Sequence, residues 1–401
     1  MAGAAIGVSH LVQSTRAGAD YGFGLLWAVF LALIFKYPFL EYGPRYAAVK
    51  NKSLLDGYME LGNWAMVVFL VFTFGTMFTI TAAVTAVTAG LTAQMIGITL
   101  SPVIWSAIIL MICVGLLSSG QYPLLDRLMK FMMGLLAIST FIAIIAAVSH
   151  GSNAQPGFMP PEVWSISGVT FLLALMGWMP IPIDVSVWHS LWTLEREKET
   201  RHRPSLKEAT FDFKFGYVLA GFMAIGFLTM GALVMYGTGE TFANSGAAFA
   251  GQLVNLYTET LADWFRPVIL AAAFTTMFST TLTVVDAFPR VLRRAVELIF
   301  PKSVKKQDSK RLYVWLMLAV ASMSLFILAV LGKNFTAMVD LATILSFLTA
   351  PVLGYINFRV VTSDSMPEAF RPSKRMQIFS WLGLTFLTGF ALLYLYWLIF
   401  I

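Results

Sequence analysis

This chain has unusually few charged residues. Only 12% of its 401 residues are Asp, Glu, Lys or Arg, whereas 58% are hydrophobic. A soluble domain carries about 25% charged residues, so this chain has too few charges to cover a water-exposed surface. The composition excludes a soluble enzyme, a disordered chain and a fibrous protein, and it predicts a polytopic all-α membrane protein.

Cysteine and the common catalytic motifs are also scarce. The single cysteine, Cys113, lies in an apolar run and permits no intrachain disulfide. The sequence has no zinc-spaced His and Cys pattern, no Gly-rich phosphate loop with Lys, and no H-E-x-x-H motif. Its longest loop, about 26 residues, is too short for a nucleotide-binding domain. We therefore expect neither an enzyme nor an ATP-driven pump, and we expect no cofactor.

Apolar runs recur along the whole chain. A helix needs about 20 apolar residues to cross the hydrocarbon of a bilayer, and nine runs are of this kind. Two further stretches, 1–20 and 165–192, are apolar but interrupted by Gly, Ser and Pro, and counting both predicts eleven spans. The nine uninterrupted runs lie at about 22–43, 62–90, 101–119, 129–149, 214–237, 266–289, 312–332, 336–358 and 378–400.

The basic residues support this count. Of the 27 Lys and Arg residues, all but Arg16, Lys36, Arg266 and Lys333 fall in even-numbered loops. Because basic residues concentrate in cytoplasmic loops, we expect the N-terminus inside and the C-terminus outside a plasma or inner cell membrane. The net charge of +6 then reports orientation in the lipid bilayer rather than a nucleic-acid surface.

The first and sixth spans are the interrupted ones. The sixth carries Pro180 and Pro182, which remove two amide donors and clash with preceding carbonyls, so the sequence predicts a break in the helix there. Paired interruptions five spans apart indicate an inverted repeat with a substrate site between them. This places the first repeat at 1–149, the second at 163–359 and an extra helix at 378–401. The alternative is a pair of simple kinks.

The residues that follow the first interruption resemble those of a known protein family. Residues 16–27 (RAGADYGFGLLW) resemble the junction of helices 1 and 2 in the Nramp family of divalent-metal transporters. Gly177, Pro182 and the pair His189-Ser190 resemble the sixth helix of that family, which has an M-P-H-N break followed by H-S. The resemblance implies a LeuT-type fold of five-plus-five helices with one more, broken helices 1 and 6, and metal symport.

The residues that bind metal in that family are replaced here. Read without gaps, the Asp and Asn of the family's helix-1 break fall on Gly7 and His10. On the register of Pro182, the carbonyl donor falls on Trp178 and the thioether ligand on Ile181, while Asp184 stands where the family has Asn. A carboxylate together with a thioether favours transition metals. We therefore expect a remodelled ion site lined by these five positions.

Asp184 and His10 are the candidate metal ligands. A carboxylate beside a broken membrane helix is costly unless it is hydrated, paired or bound to a cation. Asp184 could instead cap the second half-helix. The imidazole of His10 could bind a metal ion or titrate near neutral pH, and the alternative is a buried histidine bonded to a carbonyl.

Three more residues are candidates for a path or gate. His189 lies about one turn beyond Asp184, where it could act in transport or make a hydrogen bond between helices. Asp286 precedes Arg290 by four residues, a spacing that favours an ion pair of structural or gating kind. Asp340 has no basic partner nearby in sequence, so its role stays open.

We interpret the chain as a secondary transporter of a divalent cation such as Mg, Mn or Fe. Proton coupling should be weak or absent, because the family's acidic pair in the third helix has no counterpart between Phe74 and Val87. Loss of the helix-1 carboxylate would instead suit a small organic or anionic solute, since half-helix N-termini are partly positive. A membrane sensor that does not transport is a third hypothesis.

The first span is short before its interruption. Only six residues precede Gly7, whereas half of a bilayer core about 30 Å thick needs roughly ten helical residues. We expect either that part of the first half-helix is missing from this sequence or that it enters the membrane from a shallow position.

Overall fold

The computed structural model describes residues 6–98, 100–119, 122–151, 155, 158–243, 246–260, 263–301, 306–332 and 334–400. Within these ranges every regular element is a helix. Helix α1 consists of a π-helical part, Ser9–Ser14, and an α-helical part, Thr15–Tyr21. The other helices are α2 (Leu26–Lys50), α3 (Leu54–Leu61), α4 (Asn63–Ile96), α5 (Pro102–Ser119), α6 (Tyr122–His150), α7 (Ile166–Trp178), α8 (Val185–Thr200), α9 (Leu206–Val234), α10 (Gly246–Thr260), α11 (Arg266–Ile299), α12 (Lys306–Leu331), α13 (Phe335–Thr362) and α14 (Lys374–Phe400), with short 3-10 turns at Asp263–Phe265 and Glu368–Phe370.

The predicted spans agree with these helices. Among the described residues, eight helices are long and apolar enough to cross a membrane, namely α2, α4, α5, α9, α11, α12, α13 and α14. Two shorter apolar helical segments, Gly134–Ser149 and Ile166–Trp178, lie in the fifth span and the first half of the sixth. The first span corresponds to α1, although its residues 1–5 lie outside the described part of the chain.

The helices pack in two groups. Helix α1 packs on α9, and α2 packs on both α8 and α9, while α4 packs on α5, α10, α11, α12 and α13. Small residues allow the closest of these approaches: a Cβ on Gly18 would lie 1.9 Å from the carbonyl oxygen of Leu228. Helix α13 joins the groups, because it packs on α4 and on α7. The interrupted first and sixth spans are thereby packed against α2, α9 and α13.

The two interruptions differ in form. At the first, the chain bends at Ile6 and Gly7 and continues as π-helical turns from Ser9, where the sequence predicted unwound backbone. At the sixth, α7 ends at Trp178 and α8 begins at Val185, so the predicted break is confirmed.

Candidate functional site

The break in the sixth span leaves the carbonyl oxygens at the end of α7 without the amide donors of a continuous helix, and Met176 accepts only from the nearby Met179 N–H, at 3.3 Å. Residue 180 is proline, so the carbonyl oxygen of Met176 has no amide hydrogen four residues ahead to accept. The peptide bond between Met179 and Pro180 is cis, and the chain stays non-helical until Val185. The end of α7 therefore presents carbonyl oxygens to the interior of the protein.

Lys36 supplies hydrogen bonds to this helix end. The lysine lies near the middle of α2, its side chain is 0% exposed, and its Nζ donates to the carbonyl oxygens of Met176 at 2.6 Å and Gly177 at 2.7 Å. A cation is favourable at a helix C-terminus, where the partial charge is negative. In the sequence, Lys36 stands out only as a basic residue outside the cytoplasmic loops. Its place inside a membrane span is the signal that could have marked it as a candidate site residue.

Asp184 lies on the other side of the same break. It directly precedes α8, where its side chain makes no standard capping hydrogen bond, although the backbone amides of Val185 and of Asp184 itself act on its carboxyl group. Its Oδ1 atom is buried and accepts no hydrogen bond from a described group. Lys36 is close enough for its charge to act on this carboxyl group. The break thus brings together one ammonium group, one carboxyl group and the two carbonyl oxygens to which the ammonium group donates.

His10 is fully hydrogen-bonded. Its Nε2 lies 2.9 Å from the carbonyl oxygen of Ala220 and therefore carries the hydrogen, while Nδ1 lies 2.7 Å from Ser9 Oγ. In a neutral ring Nδ1 accepts from the Ser9 hydroxyl, so no lone pair remains for a cation in this conformation. This geometry favours the buried-histidine alternative. Ser9 Oγ also lies 3.3 Å from the carbonyl oxygen of Pro180, so the two interrupted segments are in contact.

The other positions carried over from the family lie at the break, but their side chains offer no ligand for a cation. A Cβ on Gly7 would lie 2.8 Å from Thr280 Oγ1, and Ile181 is a buried side chain. The indole of Trp178 donates to Ser346 Oγ at 2.8 Å. A thioether is nevertheless present in the break, that of the buried Met179. Met179 and Pro180 stand in the same Met-Pro order as the family's break, and an alignment on Pro180 lies two residues before the alignment on Pro182. On this register the carbonyl donor is Met176, one of the two oxygens that Lys36 binds.

A buried polar cluster lies at the start of α8. Asn357 in α13 donates to Ser186 Oγ at 2.7 Å and to the carbonyl oxygen of Phe39 at 3.2 Å, and it accepts a hydrogen bond from Tyr58. These contacts hold α8 against α2, α3 and α13. This cluster was not predicted from the sequence, because its members are distant from one another along the chain.

Asp340 has a partner that the sequence did not reveal. Its Oδ1 accepts from Arg16 at 2.7 Å and from Gln13 at 2.9 Å, so α13 is tied to α1. Arg16 also stacks over the ring of Phe171, 4.9 Å from its centroid. This cluster closes one end of the contact between α1, α7 and α13.

The Asp286–Arg290 pair predicted from the spacing is present. Arg290 Nη2 lies 2.6 Å from Asp286 Oδ1, and Asp286 also accepts from Trp192 at 2.9 Å and from Tyr313 at 2.6 Å. Since Trp192 belongs to α8 and Tyr313 to α12, the pair joins three helices. Glu195 of α8 approaches Arg290 to 3.6 Å.

His189 is buried in α8 beside aromatic rings. Its ring centroid lies 5.8 Å from that of Trp192 and 6.3 Å from that of Phe213. Neither ring nitrogen has a hydrogen-bond partner among the described residues, so the predicted hydrogen bond between helices is not present in this conformation. The structure does not bring His189 into the contacts around Lys36 and Asp184.

The site is poor in groups that bind metal ions strongly. In the part of the chain that the structure describes, no three His, Cys, Asp or Glu side chains group closely enough to hold a metal ion. Of the two candidate ligands, Asp184 retains an unused oxygen, whereas the ring nitrogens of His10 are both engaged. Any cation in this break would depend on one carboxylate, carbonyl oxygens, the thioether of Met179 and water.

Comparison with known proteins supplies the evolutionary context. A family model described as "Natural resistance-associated macrophage protein-like", Nramp, matches residues 1–397. An uncharacterized protein of Pasteurella multocida (strain Pm70) is 33% identical over 402 residues, a match that covers 98% of this chain and 90% of that protein.

Solved structures of a manganese transporter from Eremococcus coleocola are similar in fold to this chain. A crystal structure of the Eremococcus coleocola manganese transporter with an aromatic bis-isothiourea compound has a TM-score of 0.67 at 15% identity. A histidine-to-alanine variant of that transporter has a TM-score of 0.68 at 12% identity. Each match covers 98% of this chain and 84% of the other.

Proposed function

The chain belongs to the Nramp family, and from that premise we propose that it is a secondary transporter that moves a divalent metal cation across a membrane by alternating access. The family's activity and the manganese transporter of similar fold support metal transport. The cation would be Mg, Mn or Fe, carried as substrate without a cofactor, and the chain would perform no enzymatic reaction. The cell membrane would be its location, with the N-terminus in the cytoplasm.

The observation that carries this proposal is the unused oxygen of Asp184. This buried carboxylate oxygen accepts no hydrogen bond and lies in the same membrane helix break as the carbonyl oxygens of Met176 and Gly177, so a cation would be stabilised there. A carboxylate with carbonyl oxygens and water suits a hard, partly hydrated cation. Met179 adds a soft donor to the same break, which would extend the range to manganese or iron.

Alternating access would use the two repeats. We propose that residues 1–149 and 163–359 form the inverted halves, with 378–401 as the extra helix. The substrate would bind between the interrupted segments, which meet where Ser9 approaches Pro180. Arg16–Asp340 and Asp286–Arg290 would close the two approaches to this position, with His189 beside the second.

A small organic or anionic solute is the second candidate, and Lys36 favours it. An ammonium group already occupies the carbonyl oxygens of Met176 and Gly177, and Gly7 supplies no carboxylate on the opposite side. The one carboxyl group of the break, Asp184, then faces a positive charge before any substrate arrives. A solute that brings no net positive charge would leave this balance undisturbed.

Uptake by proteoliposomes would test the proposal. Purified protein is reconstituted, and uptake of Mn²⁺, Mg²⁺ and Fe²⁺ is measured for the wild type and for Asp184→Ala. Asp364→Ala is the matched control, because Asp364 is an exposed carboxylate in a loop. Metal uptake that is lost in Asp184→Ala and kept in Asp364→Ala would support a cation site in the break. Absence of metal uptake by the wild type, with uptake of a radiolabelled monocarboxylate, would replace the first candidate by the second.

A further inference from the structure

Lys36 is an unusual residue for its position. Its ammonium group is fully buried near the middle of a membrane-spanning helix, where an uncompensated charge is costly. The hydrogen bonds to Met176 and Gly177 compensate two of its three N–H groups, and both acceptors belong to another helix, 140 and 141 residues away. Lys36 therefore binds the end of α7 in addition to occupying its position in α2.

The acceptors of Lys36 are the atoms that a bound cation would use. They are carbonyl oxygens at the negative end of α7, where the helix stops before Pro180, and they lie in the break that also holds Asp184. We propose that Lys36 is a tethered cation that occupies the carbonyl oxygens of Met176 and Gly177, so that a metal ion binds in this break only by displacing it. The inference rests on the proposed function only in taking the break as the substrate site.

The charges in the break point in the same direction. Lys36 and Asp184 are the basic and the acidic group that act on each other there. A divalent cation that entered beside the ammonium group would be repelled by it, and the Asp184 carboxylate alone would offset this repulsion. With Lys36 removed, the same cation would meet a negative site with two free carbonyl oxygens. Lys36 would therefore keep the affinity for metal ions low and make their binding depend on its movement.

A purely structural lysine would behave differently. If Lys36 only capped α7, its replacement would lower stability without creating any affinity for metal ions, because the carbonyl oxygens would turn to water or to other donors. The two roles are therefore separated by a gain of binding, which loss of a structural contact does not produce.

The experiment measures binding of Mn²⁺ alone to full-length protein in detergent by isothermal titration calorimetry. The variants are Lys36→Met, which keeps the length of the side chain, and Lys36→Gln, which keeps a donor for the carbonyl oxygens. Lys50→Met is the matched control, because Lys50 also lies in α2 and donates to a backbone carbonyl, that of Ser365 at 2.7 Å. Helical content by circular dichroism and a single peak in gel filtration establish which variants fold.

We expect the Kd for Mn²⁺ to fall at least about tenfold in a folded Lys36 variant, a change of about 1.4 kcal/mol. Lys50→Met should leave it unchanged. Adding Asp184→Asn to Lys36→Met should remove the gain, because the carboxylate that attracts the cation is gone. A folded Lys36→Met or Lys36→Gln protein that binds Mn²⁺ no better than the wild type overturns the inference. Because the readout is binding, a wild type that transports no metal would refute the proposed function and leave this result standing.

Discussion

Arg16 in α1 and Asp340 in α13 form a salt bridge of 2.7 Å between Nη1 and Oδ1, although 324 residues separate them in sequence. Gln13 donates to the same carboxylate oxygen, and the Arg16 guanidinium also binds the side chain of Gln13. The three side chains hold the C-terminal part of α1 against the second turn of α13. If the site between the interruptions is to open at this end, these contacts must break first.

Removing this pair should favour opening. A partly exposed ion pair contributes up to about 1 kcal/mol, which shifts a two-state population by roughly two- to fivefold. Asp340→Asn should therefore speed maleimide labelling of a cysteine placed at the buried Ala342, in a Cys113→Ala background. Asp364→Asn, which breaks the surface pair with Arg371, is the control and should leave labelling unchanged. Equal labelling rates in all three proteins would show that the pair does not hold this end closed.

His10 should matter for stability more than for transport. Its ring joins Ser9 to the carbonyl oxygen of Ala220, so His10→Ala removes two buried hydrogen bonds at a cost of about 1–3 kcal/mol. We expect a lower melting temperature by scanning fluorimetry and a substrate KM close to that of the wild type. Asp184→Ala should have the opposite profile, with abolished cation uptake and a smaller loss of stability. A large rise in KM for His10→Ala at normal stability would show that the ring contacts the substrate.

The sequence correctly predicted the structural features that depend on residues close together in the chain. The helix break at Pro180 and Pro182 follows from missing amide hydrogens, and the Asp286–Arg290 pair follows from a spacing of four residues. The helix positions follow from the apolar runs. In each case the decisive partner lies within a few residues, so no knowledge of packing was needed.

Contacts between helices that are distant in the chain could not be predicted from the sequence. Lys36 reaches Met176 across 140 residues, and Asp340 finds Arg16 rather than a neighbour in α13. Nothing in the local pattern states which helix faces which. The sequence analysis placed the break on the register of Pro182, and the buried Met179 before Pro180 offers another register, in which Met179 supplies the thioether.

The close approach of α2 and α8 should depend on Gly43. A Cβ at this position would lie 2.0 Å from the carbonyl oxygen of Ser186, which is backbone and cannot rotate away. We expect Gly43→Ala to lower the free energy of unfolding by about 1–3 kcal/mol or to prevent folding. Gly75→Ala in α4 is the control, because a Cβ added there would have no neighbouring atom within 4 Å, and helix propensity should make it neutral or stabilising by roughly 0.5–1 kcal/mol. Equal yields and equal melting temperatures for both variants would contradict this packing.

Transport should depend little on a proton gradient. The segment of α4 from Phe74 to Val87 has no carboxylate, and its threonine hydroxyls are used within the helix, as in the bond from Thr85 to the carbonyl oxygen of Thr81. Asp340 is engaged by Arg16, so it is poorly placed to carry protons through this conformation. In proteoliposomes whose voltage is clamped with potassium and valinomycin, collapsing the pH gradient should change the initial rate of substrate uptake little. A dye trapped inside the vesicles should report no acidification in step with uptake, and empty liposomes provide the baseline. Substrate-driven acidification above that baseline, lost in Asp184→Ala, would show instead that protons move through the helix-6 break.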